Sequence, residues 1–220
     1  MAEILPQIHL VEGGDLTPDS SKFYLIQEAS GGWTLVDTGV PGSDSALLAY
    51  LKKVGSSPKE IRSILITHLH NDHTGCLKRL KEVTGAKTYA HWLEAAFIAG
   101  HPKYDGPGMP PSNPLEVDVK FKDGDQLPVG GGLVAYHTPG HTPGHTSFYA
   151  PHRKVLFCGD LFFGLPKLAL TVPDFTHHTL SAQVSARRIS ELPLDAILGS
   201  HGGPFLQGAG AELKALVRRF

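Results

Sequence analysis

Residues 61–73 constrain the chain more than any other stretch. Ile61 to Ile66 is a short run rich in β-branched residues, which predicts a buried strand. It leads without a linker into Thr67-His68-Leu69-His70-Asn71-Asp72-His73, and Leu77 to Val83 then shows helical spacing. A strand end therefore offers four metal donors within one short loop. Alternate residues in such a loop can point the same way, so His68 and His70 can chelate one ion. Asp72 and His73 can then reach a second ion beside it. Zinc takes these nitrogen and oxygen donors. A polar turn capping a helix accounts for one histidine at this place, but not for three with an aspartate.

The same pattern of a strand followed by a ligand recurs. His137-Thr138-Pro139-Gly140-His141-Thr142-Pro143-Gly144-His145 is rich in proline and glycine, which predicts a rigid turn. At most one or two of its histidines would bind a metal directly. Phe157-Cys158-Gly159-Asp160 and Leu198-Gly199-Ser200-His201 repeat the arrangement. Four strand ends each present metal-binding side chains, and such ends can meet on one edge of a sheet sandwich.

Strands are also expected at Ile4 to Val11, Thr88 to Ala90, Val117 to Phe121, Leu133 to Tyr136, Thr146 to Tyr149, Lys154 to Phe157 and Ala196 to Leu198. Phe23 to Ile26 and Trp33 to Val36 flank Gly31-Gly32 as a hairpin. Leu47, Leu48, Leu51 and Val54 recur at helical spacing behind a cap at Ser43 or Asp44. Further helices are expected at Trp92 to Ala99, at Thr179 to Leu192 on Leu180, Val184, Ile189 and Leu192, and at Ala211 to Val217. Strands followed by helices in each half predict an α/β fold of two sheets face to face with helices outside. No linker divides residues 1–220, which are read as one domain. Residues 100–116 hold five prolines and form a candidate lid.

Composition narrows the partners. The net charge is −1 and hydrophobic residues make up 41%, which fits a globular chain without a basic surface for nucleic acid. A small-molecule substrate is expected, recognised by a pocket. Met1 to Pro6 does not read as a signal peptide, and no window has the roughly 18 apolar residues of a membrane span. Cys76 and Cys158 read as buried thiols in a reducing compartment, so a cytoplasmic location is expected.

Thr-His-x-His-x-Asp-His at 67–73, Thr-Pro-Gly-His-Thr-Pro-Gly-His at 138–145, Gly159-Asp160 and Ser200-His201 resemble the metallo-β-lactamase superfamily over nearly the whole chain. Val36-Asp37-Thr38-Gly39 resembles the family's early Asp-Thr-Gly turn below the metal site. The resemblance implies a four-layer αββα sandwich with a dinuclear centre. His68, His70 and His141 would hold the first metal, Asp72, His73 and His201 the second, and Asp160 would bridge. Two divalent ions are implied, zinc first, with manganese or iron as alternatives. Asp72 would also act in catalysis, orienting the nucleophile and shuttling a proton.

The expected reaction is hydroxide attack on an ester, lactone or thioester carbonyl. Asp160 argues against antibiotic hydrolysis, because β-lactamases of the superfamily generally lack that bridging aspartate. About 19 residues follow His201, so the C-terminal glutathione-binding region of glyoxalase II-like enzymes is not expected. Phe163 stands where quorum-quenching lactonases carry a tyrosine. Phosphoester hydrolysis on the same site and iron-dependent sulfur dioxygenase-like chemistry are the alternatives. Phe162, Phe163 and Tyr104 are candidate substrate contacts, within an apolar loop that includes Leu165, Leu168 and Leu170 and beneath a segment that includes Met109. Asp37 and His145 are candidate supports behind the ligands. Cys158 is a further candidate donor, and His177 and His178 are expected at a solvated helix start.

Overall fold

A computed structural model describes residues 1–12, 21–164 and 167–220, and Leu165 of the expected apolar loop lies outside these. Among the described residues the first half contains β1 (Ala2–Leu5), β2 (Ile8–Glu12), β3 (Lys22–Gln27), β4 (Trp33–Val36), α1 (Ser43–Lys53), β5 (Ile61–Leu65), α2 (Asn71–Thr74), α3 (Leu77–Thr84), β6 (Lys87–His91) and α4 (Trp92–Ile98). The second half contains β7 (Val119–Phe121), β8 (Gln126–Leu127), β9 (Leu133–His137), β10 (Thr146–Ala150), β11 (Val155–Gly159), β12 (Phe162–Phe163), β13 (Ala169–Leu170), α5 (Thr179–Ser190), β14 (Ala196–Gly199) and α6 (Ala209–Val217).

Strands β1 to β7 form one sheet in chain order, and β14-β11-β10-β9-β8 form a second. Both are mixed: β4-β5-β6-β7 run parallel, as do β11 and β14, while the other pairs are antiparallel. The period of two along each strand explains the layering. Tyr24, Ile26, Val36 and Leu65 face Phe148 and Phe157 between the sheets. Their neighbours Phe23, Leu25, Leu35 and Ile64 face outward onto α1, α3 and α4 through Leu47, Leu51, Leu77, Leu80 and Ile98. On the far side, Tyr149, Leu156 and Ile197 meet Ala186 and Ile189 of α5 and Leu213 of α6. Three apolar layers thus separate four structural layers, giving an αββα sandwich.

Parallel pairing brings the C-terminal ends of β4 and β5 to one edge, and those of β11 and β14 to the facing edge. The β9–β10 connection joins them, because Thr146 opens β10 beside the end of β11. A bond from the Thr146 N–H to the Thr67 carbonyl, 2.9 Å, ties the two sheets at that edge.

Local differences from the sequence expectation have physical causes. The single strand expected at Ile4 to Val11 is a hairpin, turned at Pro6-Gln7 with Gln7 left-handed at φ 64°. Helix α1 is preceded by left-handed Gly42, so Ser43 and Asp44 lie inside its first turn instead of capping it. The 161–175 segment contains the β12–β13 hairpin, and the short β8 is specified only by pairing with β9. Leu180 and Val184 of α5 are 65% and 66% exposed, contrary to their expected core role. The buried face of α5 carries Ala182, Ser185, Ala186 and Ile189 instead. Close approach selects those small residues: the Ser185 hydroxyl donates to the Pro139 carbonyl at 2.8 Å.

Candidate metal centre

The end of β5 delivers His68 and His70 to the sandwich edge, and the turn before β10 delivers His141. His68 Nε2, His70 Nδ1 and His141 Nε2 lie 2.9–3.2 Å from one another. Tetrahedral zinc with Zn–N bonds of 2.0–2.1 Å requires nitrogens roughly 3.3 Å apart. The triad therefore has the spacing of one coordination shell.

The second group comes from α2, β11 and β14. Asp72 and His73 sit in α2, Asp160 follows β11 and His201 follows β14. Asp72 Oδ2 lies 2.9 Å from His201 Nε2 and 3.3 Å from His73 Nε2. Asp160 spans both groups: Oδ1 is 3.2 Å from His73 Nε2, and Oδ2 is 3.4 Å from both His141 Nε2 and His201 Nε2. The seven expected ligands are thus brought together as two groups, each with donor atoms within 4.8 Å of one another.

Supporting hydrogen bonds fix which imidazole nitrogen faces inward. Asp37 can only accept: it takes bonds from the Thr67 N–H, the Thr67 hydroxyl and His73 Nδ1–H, each at 2.8 Å. The Thr67 hydroxyl proton is therefore committed, and Thr67 Oγ1 accepts from His68 Nδ1–H at 3.1 Å. His70 donates Nε2–H to the Pro107 carbonyl at 2.8 Å. His68 and His70 consequently turn bare nitrogens toward the centre, and His73 turns Nε2 there. His145 supports Asp160, its Nε2 accepting from the Asp160 N–H at 3.1 Å while Nδ1 bonds to Thr138.

Burial and charge divide the histidines. Burial holds His68 and His145 well below the usual imidazole range, lowers His70 and depresses His141 to about 3. These rings stay neutral at neutral pH. Burial also disfavours charge on His73 and His201, but nearby carboxylates, Asp160 foremost, outweigh it. His73 is raised well above its ordinary value, and His201 to about 10. Burial opposes ionisation of Asp72 and Asp160 too, and their cationic histidine neighbours hold both far down. The clustered carboxylates of Asp37, Asp72 and Asp160 draw positive charge to this point. Buried His73 Nε2 and Asp160 Oδ1 have no hydrogen-bond partner, although they face one another. Orphaned donors and convergent bare nitrogens fit divalent cations.

A cavity of about 520 Å³ opens onto His70, Asp72, His141, Asp160 and His201. Its other wall is Gly108, Met109, Phe163, Val172 and Phe175, with no lysine or arginine among the described lining residues. Phe163 is thus where a substrate contact was expected, and Phe162 and Tyr104 are not. Phe162 is 1% exposed and packs in the outer core with Leu156 and Ile189, since alternation along β12 turns it away from the cavity. Tyr104 is 6% exposed, stacks edge-on against His70 and donates its hydroxyl to the Pro107 carbonyl. Cys158 is likewise in the outer core, where burial pushes its thiol up.

The proline-rich 100–116 segment is pinned over the site. The Asn71 N–H bonds to the Met109 carbonyl, and Ser112 bonds to the Asn71 side chain. Gly108 is left-handed at φ 89°, and a Cβ there would lie 2.3 Å from His70 Nε2. His178 caps α5 by accepting from the Ser181 N–H, and His137 closes its own turn by donating to the Pro143 carbonyl. Sequence reasoning missed Glu94 and Thr171. Thr171 Oγ1 lies 3.2 Å from His141 Nδ1. Glu94 had one signal: it lies on the same stripe of α4 as buried Ile98.

A sequence model of the metallo-beta-lactamase superfamily matches residues 16–201. The uncharacterized protein YobT of Bacillus subtilis is 28% identical over 211 residues, covering 89% of this chain and 88% of that one. Hydroxyacylglutathione hydrolase of Chromohalobacter salexigens is 31% identical, covering 82% of this chain, and this chain spans 60% of that protein. The corresponding enzyme of Pseudomonas aeruginosa is 31% identical over 60% of this chain and 44% of its own length. Among solved structures, a metallo-beta-lactamase HARLDQ motif mutant from Cronobacter sakazakii superposes with a TM-score of 0.77 at 26% identity, covering 98% of this chain and 92% of that one. The length of the matched segment and the shared sandwich agree, and the chain belongs to the metallo-beta-lactamase superfamily.

Proposed function

We propose that the chain hydrolyses a carboxylic ester-type bond (ester, lactone or thioester) in a small molecule that carries an apolar acyl or aryl group. The observation that carries this reading is the pair of ligand groups joined by Asp160 at the floor of an apolar-walled cavity. His68, His70 and His141 would hold one divalent ion, Asp72, His73 and His201 a second, and Asp160 both. Zinc suits the donor set, with manganese or iron as alternatives. Bound there, such ions supply Lewis acidity and lower the pKa of water toward ~7.

The protein's own groups then have distinct tasks. Asp72 and His201 are the ligands most open to the cavity, their side chains 29% and 24% exposed. Asp72 would orient a water by accepting its hydrogen bond and shuttle its proton. Phe163, Met109, Val172 and Phe175 cover the apolar part of the substrate and exclude water around the carbonyl. The lack of a lysine or arginine among the described lining residues disfavours a phosphoester dianion. It equally disfavours the carboxylates of a glutathione conjugate, the substrate named for two relatives. The two buried thiols fit a reducing, cytoplasmic setting. Among the described residues no helix is long and apolar enough to cross a membrane.

Zinc-loaded protein assayed against an aryl acetate, an acyl-homoserine lactone, an acylglutathione and an aryl phosphate tests the reading. Turnover of the first two above the others is expected. Preference for the phosphate, or no hydrolysis with zinc, manganese or iron loaded, would overturn it.

A further inference from the structure

We propose that Glu94 is a positioning residue that locks the His68–His70 loop and the His141 loop to one another, setting the spacing of the three-histidine group. Glu94 lies on α4, is 0% exposed, does not line the cavity, and bonds to Leu69, Thr142 and Gly144, none of them a candidate ligand. Its two oxygens reach two different loops. Oε2 accepts from the Leu69 N–H at 2.7 Å, the amide between His68 and His70. Oε1 accepts from the Gly144 N–H at 2.7 Å and the Thr142 hydroxyl at 2.8 Å, just beyond His141. One carboxylate thus bridges segments more than seventy residues apart in the chain.

The approach of the second loop is close enough to require glycine. A Cβ on Gly144 would lie 2.9 Å from Glu94 Cγ and 2.8 Å from Leu93 Cβ. The site is costly for a carboxylate, since burial pushes Glu94 up to about 7 against the pull of its three hydrogen bonds. An apolar side chain would fill α4's inner stripe without that cost. What only a carboxylate supplies here is two acceptors back to back, aimed at donors of both loops. The triad nitrogens are 2.9–3.2 Å apart, and a site of this kind tolerates loop shifts of only about 0.5 Å.

The proposal rests on the metal-centre reading, and zinc binding by the folded, metal-stripped protein tests both. Zinc affinity is measured by competition with a chromophoric chelator, and apo-protein stability by thermal unfolding. Glu94→Gln sets an amide N–H₂ against a backbone N–H on one side, and is expected to weaken zinc binding by ~10–100-fold, the usual effect of losing a support behind a ligand. Ile98→Val, a buried change on the same helix, is expected to leave zinc affinity within about twofold while lowering apo stability. Zinc affinity of Glu94→Gln within about twofold of wild type, or an equal loss in Ile98→Val, would overturn the role of Glu94. Should Glu94→Gln not fold, Thr142→Val removes one of the two bonds that tie Glu94 to the His141 loop and must still weaken zinc binding; unchanged affinity there overturns the proposal. Wild-type protein that takes up no zinc overturns the metal centre itself, an outcome distinct from the others.

Discussion

Asp160 differs from the other candidate ligands because its two oxygens reach both groups. Replacing it with alanine is expected to strip both ions and abolish turnover, whereas His70→Ala is expected to abolish turnover while one ion is retained. Metal-to-protein ratios by elemental analysis, with circular dichroism to show an intact fold, separate these outcomes. Full activity in either variant would sink the proposed centre. His91 carries a pH prediction. Its ring stacks on His137 at 4.3 Å and 11°. Burial and then the His137 charge lower it to about 4, with Asp123 and Asp125 opposing. The unfolded chain takes up this proton near pH ~6.5 and the folded chain only near pH 4. Between those values the unfolded state binds more protons, so this contribution to stability is present above pH ~6.5 and is lost as pH falls toward 4. His91→Phe should therefore lose less Tm than wild type over that window; parallel Tm curves would refute the assignment. The two candidate ligand groups were legible in the sequence because their residues cluster in short runs just past strand ends or inside a proline- and glycine-rich turn. Glu94 and Thr171 were not, because their partners are backbone and side-chain atoms supplied by distant loops.

At the level of elements, a strand was readable where two buried faces demanded an unbroken apolar run, as at Val155–Gly159, and where β-branched residues dominated a short run, as at Ile61–Leu65. The inner face of α5 was not readable. Its large residues, Leu180 and Val184, point to solvent because the 139–141 turn lies too close for them. The 100–116 segment reads as a lid from its prolines, and in the structure it lies over the site with the Pro107 carbonyl bonded to His70. Gly108→Ala tests that contact. It imposes a strained φ and a Cβ against His70 Nε2, so the segment or the imidazole must move. Zinc affinity is expected to fall ~10-fold or more, the size of effect seen when a ligand's outer partner is lost. Unchanged affinity would mean that the segment moves freely, as a lid does.

The molecule as a whole joins its two sheets at the centre. His68, His70, Asp72 and His73 issue from the first sheet's edge, while His141, Asp160 and His201 issue from the second. An ion coordinated by both sets binds only when the sheets are packed, so it stabilises the folded state by mass action. At a free concentration 100 times the Kd, one site contributes about 2.7 kcal/mol. In a chain of this length 1 kcal/mol moves Tm by roughly 2–4 °C. Chelation of a zinc-loaded sample should therefore lower Tm by about 5–10 °C for each site emptied, and re-addition of zinc should restore it. The shift should shrink to nothing in Asp160→Ala, which separates binding at this centre from adsorption elsewhere on the surface. A Tm indifferent to chelator in wild-type protein would mean that the two sheets are not joined through metal, and that the convergence of histidines and aspartates serves some other end.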